Sequence, residues 1–165
     1  MAPTILSYGM VGGGPGSFIG EVHRKALALD GMAVIKAGCF STKPEASLET
    51  GLGLGIDADR IYADWRQMAR AEAAREDGID FVVIVTPNHL HAPVAAAFLE
   101  AGIHVVCDKP LALSVAECEN LEKLAELRGL EFCVTYTYSG YPAVKQARAF
   151  IDSGLLGEIK FVNGE

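Results

Sequence analysis

The chain has 165 residues, of which half are hydrophobic and 21% are charged, a balance typical of a globular protein with one buried core. The formal net charge is −7, and no run rich in lysine or arginine is present. Because nucleic-acid-binding surfaces are usually basic, composition argues against a nucleic-acid partner. No apolar run approaches the roughly 18 residues of a membrane span, and the N-terminal segment lacks the basic region of a signal peptide. We therefore expect a cytoplasmic protein.

Four cysteines are present. Cys39, Cys107 and Cys133 lie in apolar, strand-like runs, and Cys118 lies in a helical pattern. None forms a C-x-x-C pair or has a histidine at metal-ligand spacing. We therefore expect reduced core cysteines and no metal site.

Apolar runs and helical periodicity alternate along the chain. In chain order the pattern predicts a strand over 4–12, a helix over 18–30, a strand over 32–40, a helix over 44–52 and a helix capped by Asp64 that ends near 76. It continues with a strand over 80–85, a helix over 90–101, a strand over 103–107, a helix to 128 with a Ser114–Glu117 capping box, a strand over 130–136 and a helix over 142–153. A further strand is expected to start over 158–163.

This alternation favours an α/β fold, a doubly wound parallel sheet with helices on both faces. Such sheets bind their ligands at the carboxyl ends of the strands. The last predicted strand has no partner in the sequence, and a single strand is not stable alone. We therefore expect the sequence to end inside a second domain.

A glycine cluster follows the first strand and opens the first helix. Gly12-Gly13-Gly14 supplies the G-x-G of a dinucleotide fingerprint, with Gly20 as the third glycine and Gly16 as its rival. A side chain at Gly14 is expected to fill the space of a pyrophosphate. The alternative is a simple tight turn. In this region the predicted cofactor contacts are Gly12, Gly14, Gly16, Phe18 and Ile19. For the helix that follows, the predicted buried face carries Ile19, Val22, Ala26 and Leu29.

The end of the second strand lacks the acid that binds the adenine ribose in many dinucleotide sites. It reads Ser41-Thr42-Lys43 instead. Two hydroxyls and a lysine suit a 2′-phosphate, which gives a slight lean to NADP over NAD. The alternative is that these residues only start the next helix.

Two further motifs directly follow strands. Thr86-Pro87-Asn88 is expected at the nicotinamide side, with Asn88 as the cap of the next helix, alone or together with a ribose contact. His91 has either a cofactor or substrate role or a structural one, whereas His23, His89 and His104 are expected to be structural.

Lys109, which follows the strand over 103–107, is the predicted catalytic residue. Placed beside a nicotinamide, it could hydrogen-bond a substrate hydroxyl and stabilise its developing negative charge. Asp108 is expected to bind the nicotinamide ribose or to orient Lys109, and the Lys109–Pro110 bond is a candidate cis peptide. The alternative is a solvated loop lysine.

The glycine loop, "TPNHLH" and "CDKPLA" at these separations resemble the Gfo/Idh/MocA oxidoreductases, and the resemblance covers essentially the whole chain. It implies a Rossmann domain over 1–137 and the start of an α+β substrate domain over 138–165. It also implies NAD(P)-linked hydride transfer on a sugar, polyol or related hydroxyl compound. The implied cofactor contacts include Ser41, Thr42, Lys43, Thr86, Pro87, Asn88, His91, Asp108 and Lys109.

This sequence departs from the family pattern in three ways. Asp108 replaces the family's glutamate, Tyr136-Thr137 stand where many relatives have His-Asn, and the domain that carries the family's acid/base residues is not in the sequence. The resemblance therefore implies that the isolated chain has little activity and that the full-length form is a homo-oligomer. The alternatives are a non-catalytic dinucleotide-binding module and, more weakly, a binder of FAD or of a nucleotide sugar.

Overall fold

A computed structural model describes residues 4–163. One sheet contains five parallel strands, which are β1 (Leu6–Gly12), β2 (Ala33–Cys39), β3 (Phe81–Val85), β4 (His104–Cys107) and β5 (Phe132–Val134). The helices are α1 (Phe18–Ala28), α2 (Pro44–Gly53), α3 (Trp65–Ala73), α4 (His91–Glu100), α5 (Val115–Arg128) and α6 (Pro142–Asp152). These elements match the predicted strands and helices up to residue 153, and the bounds differ by only a few residues.

Both faces of the sheet are covered, as the apolar strands predict. Side chains alternate across the sheet, so that Met10 of β1 and Val83 of β3 belong to the core under α1. Val82 and Ile84 belong to the opposite core, which is filled by α3, α4 and α5. The predicted doubly wound parallel sheet is thereby confirmed.

The order of the strands is β2-β1-β3-β4-β5. The chain leaves β1 toward one side for β2 and returns to the other side for β3, so a crevice opens between the carboxyl ends of β1 and β3. Outside β2, Ile61 makes one isolated parallel bridge with Gly38, and the Tyr62 N–H donates to the Gly38 carbonyl at 2.8 Å. This bridge lies where doubly wound sheets of this kind carry a further strand.

The predicted buried face of α1 is wrong beyond its first turn. Ile19 and Leu27 pack into the core, whereas Val22 and Ala26 are exposed and Leu29 is 82% exposed. The reason is the close approach of Gly20 to the glycine loop, which fixes the rotation of the helix. Apolar spacing alone did not contain that information.

Two predicted helix caps are confirmed. The Asp64 carboxylate accepts a hydrogen bond from the Gln67 N–H at 2.9 Å. Ser114 Oγ accepts from the Glu117 N–H at 3.3 Å, and the Glu117 carboxylate accepts in return from the Ser114 N–H at 3.1 Å.

The predicted Asn88 cap is wrong. Residues Asn88–Leu90 form a 3-10 turn, closed by the Leu90 N–H on the Pro87 carbonyl at 2.9 Å. Leu90 therefore occupies the N-cap position of α4, and no side chain caps that helix. A proline followed by a short turn satisfies the backbone where we expected a side-chain cap.

A buried charged cluster lies between β2 and α3, and the sequence analysis did not find it. Arg60 and Glu72 are only 4% and 1% exposed and form a bidentate ion pair. The Tyr62 hydroxyl donates to the same carboxylate at 2.8 Å. Burial and this hydrogen bond raise the pKa of Tyr62 above its usual range. Removing one partner of such a buried pair is strongly destabilising, so the cluster fixes the 60–72 segment.

The cysteines are all free, but they are not all core residues. Cys39 and Cys107 are buried, and burial raises the pKa of their thiols to about 11 and about 12, with a smaller contribution from a nearby carboxylate. Cys118 is half-buried. Cys133 is exposed because it lies on edge strand β5, and the core side of that strand is taken by Phe132.

The chain divides into two compact units between Thr135 and Tyr136. The second unit contains α6 and an edge-to-face pair of Tyr138 and Tyr141 with ring centroids 5.4 Å apart. The strand predicted over 158–163 is absent, because an isolated strand has no ladder partner. Among residues 4–163, no helix has the length and apolar character needed to cross a bilayer.

Candidate functional site

A groove runs along the carboxyl ends of β1, β2 and β3. It consists of three adjoining hollows of about 420, 380 and 310 Å³. The first two share the glycine loop, and the third extends toward the end of β2. The predicted site residues that line this groove are Gly12, Gly14, Gly16, Phe18, Ser41, Thr42, Thr86 and Pro87.

The glycine loop brings the end of β1 and the start of α1 into backbone contact. Gly12 has a φ of 88°, and a Cβ there would lie 2.7 Å from the Val85 carbonyl oxygen of β3. A Cβ on Gly20 would lie 2.4 Å from the Gly13 Cα. Gly20 is therefore the third close-packing glycine, as the sequence favoured, whereas a Cβ on its rival Gly16 would meet nothing within 4 Å.

Gly14 differs from the expectation. A Cβ there would lie 2.5 Å from the Phe40 carbonyl oxygen, so a side chain would first push the end of β2 away. The clash with β2 comes from the protein itself, and the filling of a pyrophosphate space stays a prediction.

Other groups fix the loop and the first turn of α1. Arg24 Nη1 donates to the Gly13 carbonyl at 3.0 Å, and Ser17 Oγ accepts from the Gly20 N–H at 3.3 Å. The first N–H groups of a helix have no intrahelical partner and favour anions. Phe18 lines the groove, whereas the side chain of Ile19 packs into the core, so what Ile19 can offer a ligand is its backbone N–H. Sequence reasoning missed Arg24, which no motif marks.

The end of β2 forms one wall of the groove. Ser41 Oγ accepts from the Lys43 N–H at 3.1 Å, and Lys43 itself lies at the N-cap position of α2, outside the lining. Asp64 lies in the same wall, although its carboxylate also caps α3. Burial, and then the Asp64 charge, raise the pKa of the neighbouring Cys39 thiol, which therefore stays protonated at neutral pH.

Thr86 lies at the carboxyl end of β3, in the floor of the groove. Its Oγ1 is buried and has no hydrogen-bond partner among the described residues. A buried hydroxyl left without a partner costs about 1–3 kcal/mol, so an external group at this point would stabilise the protein. Pro87 lines the groove beside it, whereas Asn88 is exposed and outside the lining.

His91 does not reach the groove, which corrects its predicted contact with the cofactor. The side chain is fully buried, with 1% exposure. Its Nδ1 lies 2.7 Å from the Pro110 carbonyl oxygen and its Nε2 lies 2.9 Å from the Thr86 carbonyl oxygen. Each ring nitrogen therefore faces a backbone carbonyl oxygen, and a ring nitrogen that carries a proton donates to the oxygen it faces.

Asp108 and Lys109 follow β4, the strand next to β3. Lys109 is exposed, and within residues 4–163 its ammonium group makes no ion pair or hydrogen bond. Asp108 Oδ1 instead accepts from Thr135 Oγ1 at 3.0 Å and lies 3.5 Å from His23 Nε2. Asp108 thus makes no direct polar contact with Lys109. The Lys109–Pro110 peptide is cis, as predicted.

The arrangement fits a dinucleotide. A glycine loop without Cβ atoms, the N-terminus of α1 and an unpartnered hydroxyl follow one another along the groove at the switch point of the sheet. Fold and site together define the class of Rossmann dinucleotide-binding proteins.

Comparison with known proteins gives the family. Residues 6–136 match the Gfo/Idh/MocA model, described as an oxidoreductase family with an NAD-binding Rossmann fold. This chain belongs to that family.

Relatives cover nearly the whole chain. It is 42% identical over 159 residues to the uncharacterised oxidoreductase YfiI of Bacillus subtilis and 31% identical over 166 residues to levoglucosan dehydrogenase of Pseudarthrobacter phenanthrenivorans. Each match covers 96% of this chain and 40% of the relative, so the chain spans less than half of these proteins.

A solved structure has the same fold. The inositol dehydrogenase homologue of Azotobacter vinelandii, crystallised with NADH and myo-inositol, is 43% identical, with a TM-score of 0.91. The match covers 96% of this chain and 42% of that one.

We expect Gly20→Ala to destabilise the protein, because the new methyl group would meet the Gly13 backbone. Overpacking of this kind costs about 1–3 kcal/mol. Gly53→Ala is the matched control. It is also a helical glycine, but its Cβ would meet nothing within 4 Å, so it should stabilise by about 0.5–1 kcal/mol. Urea unfolding of both variants measures the difference, and equal effects would show that the loop and α1 are not in contact.

Proposed function

We propose that this chain is the cofactor-binding portion of an NAD-dependent dehydrogenase that oxidises a CH–OH group of a sugar or polyol. The observation that carries the proposal is Thr86, a residue of the groove lining beside the glycine loop, whose buried hydroxyl has no hydrogen-bond partner among the described residues. Family membership supports the oxidoreductase class.

Thr86 supports a bound cofactor because its hydroxyl can donate and accept. NAD offers ribose hydroxyl, phosphate and carboxamide groups that could pair with it. The glycine loop and the first N–H groups of α1 would hold the pyrophosphate, and Ser41 and Thr42 would hold the adenosine end. When bound, the nicotinamide accepts the hydride that leaves the substrate carbon.

Lys109 supports the second half of the reaction. Oxidation of an alcohol to a ketone releases one hydride and one proton, and negative charge develops on the oxygen as the proton leaves. An ammonium group that hydrogen-bonds this oxygen stabilises the charge. Lys109 lies at the end of β4, next to β3, with an ammonium group that is free among the described residues. It can therefore orient the substrate hydroxyl and hold its charge.

The substrate class is supported by the names of two relatives. One is a levoglucosan dehydrogenase and the other is an inositol dehydrogenase homologue solved with myo-inositol. Both names denote compounds rich in hydroxyl groups. We accordingly propose a cyclic sugar or polyol, and place myo-inositol first for testing.

The proposed cofactor is NAD rather than NADP, against the slight lean of the sequence. The family description and the Azotobacter vinelandii structure both refer to NAD(H). In addition, Lys43 lies outside the groove, whereas Asp64 is a residue of its wall. The half-exposed Asp64 carboxylate lies 3.9 Å from Arg66 Nη1, a surface pair that offsets little of its charge, so it would repel a 2′-phosphate.

The remaining proposals concern the whole protein. Residues 138–165 would begin the substrate domain, and the protein would be a cytoplasmic homo-oligomer. Analytical ultracentrifugation of the protein that contains this chain tests its oligomeric state.

We expect Thr86→Val to weaken NADH binding to this chain by about two- to tenfold, because a hydrogen bond contributes about 0.5–1.5 kcal/mol. The melting temperature without cofactor should stay constant or rise, since the variant removes an unsatisfied hydroxyl. Thr86→Ser, which keeps the hydroxyl, is the matched control. Fluorescence titration and thermal unfolding give the two values, and unchanged NADH affinity in Thr86→Val would contradict the placement of the cofactor.

NADH should bind this chain more tightly than NADPH does, because of the Asp64 charge. Asp64→Asn should narrow the gap by strengthening NADPH binding, while the amide can still accept the hydrogen bond that caps α3. The same titration measures all four affinities. Tighter binding of NADPH by the parent chain would restore the NADP assignment.

Lys109→Ala should lower kcat by about 10²–10³-fold, the usual contribution of one donor that stabilises a developing negative charge, and leave NADH affinity unchanged. Lys43→Ala, an exposed lysine outside the groove, is the control. Turnover is measured in the protein that contains this chain, with NAD⁺ and a panel of sugars and polyols. Equal turnover in mutant and parent would remove Lys109 from the reaction. NADH binding without turnover of any compound would leave a dinucleotide-binding module.

A further inference from the structure

Two histidines contact the segment that carries Lys109. The half-buried His23 lies beside Asp108, the residue before Lys109, and the buried His91 lies beside Pro110, the residue after it. We infer that His23 on α1 and His91 on α4 are positioning residues that hold Asp108 and Pro110, and thereby set the position of Lys109 at the end of β4, next to the strand that leads to Thr86. The inference rests on the catalytic role proposed for Lys109, and its structural part can be tested without turnover.

His91 contacts the segment at Pro110, the residue after Lys109. Its Nδ1 lies 2.7 Å from the Pro110 carbonyl oxygen and its Nε2 lies 2.9 Å from the Thr86 carbonyl oxygen. One buried ring therefore joins the loop after β4 to the loop after β3. These are the loops that carry the proposed charge-stabilising lysine and the unpartnered hydroxyl.

The loop has few other anchors. The Asp108 N–H donates to the Ile84 carbonyl at 2.9 Å and so continues the sheet. Among the described residues, the backbone of 109–112 makes no other hydrogen bond than the one between Pro110 and His91. Without that ring, residues 109–112 would keep no backbone hydrogen bond among the described residues, and the side beyond Lys109 would be held by the packing of Leu111 against the core.

His23 contacts the segment at Asp108, the residue before Lys109. Its Nε2 lies 3.5 Å from Asp108 Oδ1, an ion-pair distance when the ring is protonated. Thr135 Oγ1, from the residue that follows β5, donates to the same oxygen at 3.0 Å. The Asp108 side chain thus contacts α1 and the residue after β5 through Oδ1, and it forms no ion pair with Lys109.

These contacts give each histidine a role in positioning Lys109. An exposed lysine side chain has many rotamers, and hydride transfer needs reacting groups to be aligned closely. Fixing the backbone on both sides of Lys109 reduces the volume that its ammonium group explores. Both histidines are on helices packed against the sheet, so their contacts restrain the segment around Lys109.

The test uses the lysine itself as the reporter. Reductive ¹³C-methylation keeps the charge of each lysine and gives one NMR signal per side chain, and loss of a signal in Lys109→Arg assigns Lys109. His23→Leu, His91→Phe and Thr135→Val each remove a contact described above. We expect each variant to shift or broaden the Lys109 signal and leave the other lysine signals in place.

His104→Leu is the matched control. His104 Nδ1 accepts a hydrogen bond from the Glu131 N–H at 2.9 Å, at the opposite end of β4. Its loss removes a similar bond far from Lys109, so the Lys109 signal should not move. His23→Gln, which keeps a donor beside Asp108, should restore the parent signal.

Kinetics of the protein that contains this chain gives a second readout. The three variants should lower kcat at least fivefold while NADH affinity changes less than twofold. A Lys109 signal unchanged in all three would overturn the inference, whatever happens to turnover. If His91→Phe fails to fold, His23→Leu and Thr135→Val, at half-buried positions, decide the question. A moved Lys109 signal with unaltered turnover would instead contradict the catalytic role proposed for Lys109.

Discussion

The backbone contact between Gly13 and Gly20 determines much of the remaining site. It joins the end of β1 to the first turn of α1 and sets the rotation of that helix. Because His23 follows Gly20 by three residues, it shares the same face and lies beside Asp108. The same rotation places Ile19 and Leu27 in the core and exposes Val22 and Leu29. One close contact thus orients both the first turn of α1 and the His23 side chain that lies beside Asp108.

Polar groups at the carboxyl edge fall into two kinds. The buried His91 ring lies between two backbone carbonyl oxygens, and Asp108 Oδ1 contacts the side chains of Thr135 and His23. The Thr86 hydroxyl and the Lys109 ammonium group have no such partner within the described residues. Satisfied groups rigidify a site, whereas unsatisfied ones are where a ligand gains most. The pattern therefore separates the residues that build the site from those expected to bind cofactor and substrate.

The sequence predicted the layered fold well, because strands covered on both faces are apolar throughout and the capping signals at Asp64 and Ser114 are local. It also placed Thr86 and Lys109 at strand ends, since a strand end is visible in the pattern. It could not separate His91 from the groove-lining residues, because burial depends on packing between α4 and the loop after β4. The contact of His23 with Asp108 joins distant parts of the chain, and the Arg60–Glu72 pair forms where the chain folds back over 12 residues. No spacing rule reveals either contact. The prediction of a strand over 158–163 is wrong for a related reason, since a strand forms only beside a partner strand.

The most direct test of the account is to map where NAD⁺ binds on this chain by ¹⁵N–¹H chemical-shift perturbation. The account predicts the largest changes in the glycine loop 12–18, at Ser41 and Thr42 and at Thr86, with none in the hollow between α5 and β5 that is lined by Glu122 and Phe132. Changes centred on that hollow, or no changes at millimolar NAD⁺, would contradict the assignment of the groove as a dinucleotide site.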